Sequence, residues 1–203
     1  MIENEEKSYF RYWGKALKKE DGSVNYHLLP YHCLDVAAVG KVSLQKHVWF
    51  LEQHSQLLGI IKEVLSEWIL FLLAIHDIGK FGLSFQGMEL DLFRLLKGNS
   101  QPVFPPKEKH GLSGYRLLKK QLVGILTEEN VLSFPSDVDE RDITDLFEPC
   151  LLAVTGHHGR PPKESFSRQP LSLQFPEETV KDIRLFLQDL TKLFPYHNLT
   201  FDS

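Results

Sequence analysis

The chain has 203 residues, nine His, two Cys and 42% apolar residues, which fits one domain able to bury its own core without disulfides or a structural metal. Cys33 and Cys150 form no CxxC, which excludes a zinc ribbon or disulfide framework and points to a reducing cytoplasm, and the longest apolar run, Trp68–Ile75, is eight residues, far short of the ~18 that span a bilayer. With 23 Lys+Arg against 27 Asp+Glu, the net charge of -4 excludes a generally basic nucleic-acid coat, though not a nuclease, because bound divalent cations reverse the field at a site.

The N-terminus, MIENEEKSYFRYW, is acidic and polar where a signal peptide would be basic and then apolar. Lys7–Lys15 interleaves four aromatics with three basic residues. That pattern suits either a stacking platform for single strands, with Arg11, Trp13 and Lys15 as substrate contacts, or aromatics that dock the N-terminus onto the core. Pro30 predicts a helix opening, with helix from about Tyr31 through Val42. A second helix covers roughly Lys46 to Leu58 and stops at Gly59. Ile61–Ile75 is apolar nearly all round and reads as a central buried helix. It ends in His76-Asp77-Ile78-Gly79, with the glycine placed for a left-handed cap.

After that turn, Phe81, Phe85 and Gln86 either line a cleft or fill the core. A short helix follows at about Glu89–Lys97, and Gly98–Lys109, with three prolines, is a loop. His110–Leu126 carries Leu118, Leu122, Ile125 and Leu126 on one face. Ser133–Glu140 is another loop. Asp142–Thr155 is helical, with acids in its first turn as the helix dipole favours, and ends at Gly156-His157-His158-Gly159. The stretch Asp137–Glu148 has six acids and one Arg and would repel DNA from its face. The loop Arg160–Pro176 precedes an amphipathic helix near Glu177–Phe194, whose Asp182 and Asp189 read as part of a solvated face. No alternating strand pattern stands out. The fold class expected is all-α, one helical bundle spanning residues 1–203.

His32, His76-Asp77, His110 and His157-His158 each fall at a helix end or first turn. In a bundle, such positions let different helices aim side chains into one cavity. Neutral imidazole suits Zn, Fe, Mn, Co and Ni, and a carboxylate can bridge two ions. Five imidazoles and a carboxylate exceed the ligand set of a single catalytic zinc, so two metals are expected. Asp35, one turn after His32, is placed to hold that imidazole's second ring nitrogen. His27, His47, His54 and His197 read as partly exposed helix or loop residues, with His27 only five positions before His32.

The ordered set YWGK (12–15), YHCLDVAAV (31–39), LLAIHDIGKFGLSFQ (72–86), KHGLSG (109–114) and AVTGHHG (153–159) resembles the HD superfamily of metal-dependent phosphohydrolases. More narrowly, it resembles the HD nuclease domain of the type I CRISPR-associated nuclease-helicase. The likeness covers about residues 9–160 and leaves 161–203 as a loop plus an amphipathic helix. It implies an HD-type bundle with a metal site at converging helix ends, cutting single-stranded DNA in antiviral defence. The implied partners are a helicase domain or subunit that reels in the DNA and an RNA-guided surveillance complex; no membrane is implied, and the location expected is cytoplasmic. The resemblance assigns His32 and His76 to one metal and His110, His157 and His158 to the other, with Asp77 as bridge. Lys80 matches the family lysine that offsets charge building on the phosphate, so Asp77 and Lys80 are the expected catalytic pair. The implied cofactors are two divalent transition metals, Mn, Fe, Ni or Co, with Mg also admissible.

The family pattern closes with a further aspartate followed by Trp. No Asp-Trp occurs here, and Asp182, Asp189 and Asp202 are the only aspartates after Gly159. Either the chain stops short of that motif, or the metal assigned to His32 and His76 has one ligand fewer. Two alternatives therefore stand beside the nuclease: an HD phosphohydrolase of nucleotides or cyclic dinucleotides, and a truncated, weakly active or inactive HD module. No GxxxxGK[ST] is present, so the sequence itself supplies no ATPase motif.

Overall fold

A computed structural model describes residues 7–98, 102–128, 132–133, 139–163, 169–195 and 199–200. The fold is mostly helical, as the periodicity predicts. Helix α1 is Leu29–Lys46, α2 Val48–Leu58, α3 Lys62–Ala74, α4 Leu83–Gln86, α5 Leu90–Lys97, α6 His110–Glu128, α7 Glu140–Thr155, α8 Leu171–Gln174 and α9 Glu177–Leu193. Pro30 sits in the first turn of α1, where its missing N–H costs nothing. Gly59 closes α2 at φ 65°, the left-handed conformation that glycine adopts without a Cβ clash. Asp139 caps α7 by accepting from the Arg141 N–H.

Helix α3 buries Leu65, Trp68, Leu70, Phe71 and Ala74 and so faces neighbours on several sides. It packs along α1, α6 packs along α7, and the turn after α3 lies on α6. Amphipathic α9 closes the core with Ile183, Phe186, Leu187 and Leu190. No helix of the described residues is long and apolar enough to cross a membrane.

The helical reading acquires one addition at the N-terminus. Strand β1 (Trp13–Lys18) pairs antiparallel with β2 (Val24–Leu28), and the pairing slips between Trp13 and Lys15, a bulge at Gly14. The bulge breaks period-2 alternation, which is why no strand pattern stood out. The missed signal is Asp21-Gly22 at the tip, a strong hairpin dipeptide: Gly22 has φ 81° and the Asp21 carboxylate caps Ser23. Two further residue pairs, β3 (Leu132–Ser133) and β4 (Leu199–Thr200), run parallel.

Gly79 is not a left-handed cap. It lies in a 3₁₀ turn, Ile78–Phe81, and its lack of a side chain serves a close backbone approach instead. Asp182 is likewise not on a solvated face. It is buried, accepts from Tyr12 Oη at 2.7 Å and from Ser8 Oγ, and lies 3.4 Å from Lys97 Nζ. Asp189 binds Lys7 Nζ at 2.6 Å and Tyr9 Oη at 2.8 Å. Asp182 and Asp189 thus clamp the N-terminal segment, and Lys97 rests 3.4 Å from the centre of the Tyr12 ring.

Candidate metal centre

Three backbone segments that are far apart in sequence meet at one point, and glycines let them meet. A Cβ on Gly79 would overlap the His110 carbonyl oxygen and lie 2.7 Å from the Gly114 nitrogen. A Cβ on Gly111 would lie 2.6 Å from the Thr155 carbonyl. The turn after α3 is therefore pressed against the start of α6, and the start of α6 against the end of α7. Each contact sits within a few residues of a histidine, so backbone contact sets where the imidazoles converge.

At the convergence lies Asp77, 2% exposed. Its Oδ2 is 2.8 Å from His32 Nε2 and 3.1 Å from His76 Nε2. Its Oδ1 is 3.2 Å from His110 Nε2 and 3.3 Å from His157 Nε2. His158 Nε2 lies 3.1 Å from His110 Nε2. The ligand atoms form two groups, His32–His76–Asp77 and His110–His157–His158, each with all atoms within 4.8 Å of one another.

Two observations test whether this donor set fits metal. First, Oδ1 of Asp77 is buried and has no aligned hydrogen-bond donor, although buried carboxylate oxygens are normally satisfied. Second, His76 and His157 each turn Nδ1 to a backbone carbonyl, Leu73 at 2.8 Å and Val154 at 3.0 Å. A donating Nδ1–H fixes the tautomer that leaves a lone pair on Nε2, facing the carboxylate. Lone pairs converging on an oxygen without a donor fit divalent cations and fit a hydrogen-bonded network poorly.

Without cations, imidazole N–H groups take their place at the carboxylate. Burial pushes the Asp77 carboxyl up, but His110, His157, His32 and His76 together outweigh it and hold it well below the usual range. His157 is raised, first by Asp77. His158 is lowered by burial and then by its neighbours His157 and His110, which keeps it neutral and able to bind metal.

Lys80 lies at the same carboxylate. Its Nζ is 2.7 Å from Asp77 Oδ2, donates to the Gly14 carbonyl at 3.1 Å, and stands over the Phe85 ring. Trp13 is buried and packs on Phe85 at 4.4 Å between centroids, so it is part of the core and no stacking platform. Arg11 and Lys15 are exposed. Asp35 does not reach His32. It is exposed and takes His27 Nε2 at 2.9 Å, because the α1 turn presents its carboxylate to β2. His47 and His54 cap the Ser43 and Phe50 carbonyls, and His197 lies outside the described residues, as does Asp202.

Gln86, for which the sequence left cleft and core both open, lies in the core as a supporting residue. Fully buried, it accepts from the Trp13 N–H at 3.3 Å and donates to the carbonyls of Trp13 at 2.9 Å and Lys80 at 2.7 Å. It thereby fastens β1 to the turn that carries Asp77. A polar residue inside the apolar stretch FGLSFQG was the available signal. Phe81, at the other end of that stretch, is fully buried against Tyr12 and Phe186.

Comparison with known proteins bears on this arrangement. A family model described as "Cas3, HD domain" matches residues 13–201. The CRISPR-associated endonuclease/helicase Cas3 of Escherichia coli (strain K12) is 32% identical over 155 residues, 73% of this chain and 17% of that protein. A solved structure described as a CRISPR-associated protein superposes with a TM-score of 0.62 at 24% identity, over 97% of this chain and 20% of the other, and supports the fold alone. The chain spans about a fifth of the length of either protein.

Proposed function

The chain belongs to the Cas3 HD-domain family, and from that premise we propose that it is a metal-dependent nuclease acting on single-stranded DNA in CRISPR defence. The observation that carries this reading is the division of labour on Asp77: one carboxylate oxygen faces His32 and His76, the other faces His110 and His157. A bridging carboxylate between two divalent cations has this pattern. His32, His76 and Asp77 would hold one ion and His110, His157 and His158 the other, with Mn, Fe, Ni or Co suited to the imidazoles. Such a pair, when bound, supplies hydroxide at neutral pH and stabilises the attacking and leaving oxygens of an in-line displacement.

The protein's own groups prepare for that chemistry. Asp77 stays ionised across the physiological range because four imidazoles surround it. The Leu73 and Val154 carbonyls fix His76 and His157 in the tautomer that exposes Nε2. Lys80, committed to Asp77 and the Gly14 carbonyl, positions the bridge and neutralises part of its charge. On the His32 side two imidazoles share one carboxylate oxygen, and both described aspartates of α9 are engaged by the N-terminal segment. Exchangeable ligands, water or a substrate phosphate, would complete that ion. The single strand would be delivered by a helicase domain or subunit, recruited by an RNA-guided surveillance complex.

The test is purified protein, Mn, Ni or Co, and circular single-stranded DNA. Wild type nicks the circle and holds two metals per chain by elemental analysis, while His76→Ala and Asp77→Ala abolish nicking. Cleavage that survives both substitutions, or fewer than one bound metal per chain, overturns the assignment.

A further inference from the structure

Outward from His32 run two rings that the metal chemistry does not use, Tyr31 and His27. Tyr31, at the start of α1, is 50% exposed. The His27 side chain is 42% exposed and lies 6.3 Å from Tyr31 and 6.5 Å from His32, centre to centre. His32 is 6% exposed and touches Asp77. The series leads from open solvent to the bridging carboxylate without a break.

Each outer ring is held in place. Tyr31 packs on Phe10 at 5.3 Å, and His27 is fixed by Asp35 at 2.9 Å. Directly across the hairpin from His27 stands Lys15, and cross-strand partners project from the same face. Lys15 is exposed and, among the described residues, engages no carboxylate, whereas Lys18 and Lys7 are paired with Glu89 and Asp189. The hairpin root abuts the cluster: a Cβ on Gly14 would lie 3.2 Å from His32 Cβ. An ordered aromatic edge with one free ammonium is the arrangement that binds single strands without reading sequence, bases on rings and phosphate on the cation.

We propose that Tyr31, His27 and Lys15 form the entry track along which a single DNA strand reaches the metal centre, with a base stacked on Tyr31 and a backbone phosphate on Lys15. The proposal rests on the nuclease reading for the identity of the ligand, but binding tests it without cleavage. The probe is fluorescein-labelled oligo-dT, followed by anisotropy on metal-free protein over a range of salt. Tyr31→Ala weakens binding about tenfold, and Tyr31→Phe, which keeps the ring and its packing on Phe10, stays within about twofold of wild type. His27→Gln, which keeps a donor for Asp35 but loses the ring, weakens binding severalfold. Lys15→Ala lowers the slope of log affinity against log salt by about 0.7, the loss of one phosphate contact.

Equal affinity of wild type and Tyr31→Ala overturns the track, as does an equal loss in Tyr31→Ala and Tyr31→Phe. So does a wild type that fails to bind oligo-dT. Binding with these sensitivities but no nicking in Mn, Ni or Co leaves the track standing and removes the nuclease reading.

Discussion

Replacing Gly79 with alanine tests whether backbone contact sets the metal centre. The added methyl group overlaps the His110 carbonyl oxygen and sits 2.7 Å from the Gly114 nitrogen, and neither atom is the movable end of a side chain. Reaching ordinary contact requires the first turn of α6 to withdraw by roughly 1–2 Å. His110 travels with that turn, so its Nε2 leaves the 3.2 Å position beside Asp77 Oδ1. Over-packing of this kind costs about 1–3 kcal/mol, or roughly 2–12 °C in melting temperature for a chain of this size. The metal count should fall from two towards one, with the ion held by His110, His157 and His158 lost first, and nicking should fall with it. Gly59→Ala is the control. Its φ of 65° makes alanine strained, yet nothing lies within 4 Å of the new methyl, so stability drops while both metals remain. Thermal melts, elemental analysis and circular-DNA nicking are read on both variants. A Gly79→Ala protein that melts with wild type and keeps two metals refutes the reasoning.

Gln86→Leu leaves the Trp13 N–H and the Trp13 and Lys80 carbonyls without their buried partner. It should cost ~3 kcal/mol, seen as a drop of roughly 6–12 °C in a thermal melt; a fall under a degree would show the amide is dispensable. Alkali should also destabilise the fold. The Tyr115 hydroxyl is pushed up to about 12 by burial and then Glu148, and Tyr12 is raised further by burial and then Asp182. A folded-state value above the ordinary 10 means stability is intact below pH 10 and is lost as pH rises through the folded-state values. Urea melts between pH 9 and 11.5 should show that decline, and Tyr12→Phe should make it shallower; an unchanged slope would exclude Tyr12 as a contributor.

The helices were legible because their apolar positions recur at helical spacing, and Gly59 and Pro30 mark ends by backbone chemistry alone. The histidines were legible for a related reason: helix ends are the few places from which a bundle can aim several side chains at one point, and the structure brings all five together. Other features depended on what lay across the fold. Trp13 in an aromatic and basic run reads the same whether it stacks on a ligand or on Phe85, and only its burial against Phe85 decides between them. Asp35 stands one turn from His32, yet β2 places His27 nearer. The hairpin was hidden by its own bulge, and Gly79 looked like a cap because a sequence shows no neighbour, here the His110 carbonyl, that forbids a side chain.

Asp182 shows most plainly how a distant helix bears on the site. It lies 170 positions from Tyr12 along the chain, yet accepts its hydroxyl at 2.7 Å. Tyr12 leads directly into Trp13, which Gln86 fastens to the turn bearing Asp77, and into Gly14, whose carbonyl holds Lys80. Removing the carboxylate should therefore be felt at the metals as well as in the melt. Asp182→Ala strips the half-buried Lys97 of its counter-charge, removes the acceptor of Ser8 and leaves Tyr12 only Thr179 Oγ1 at 3.4 Å, a loss of about 3 kcal/mol. Asp182→Asn keeps an acceptor for Tyr12 and should lose less. If the clamp positions Gly14, the alanine variant, studied well below its melting temperature, also binds its first metal more weakly and the asparagine variant binds it nearly as wild type does. Titration with Mn followed by calorimetry separates the outcomes. An alanine variant that melts early but binds metal as tightly as wild type would show that α9 holds the N-terminus for stability alone.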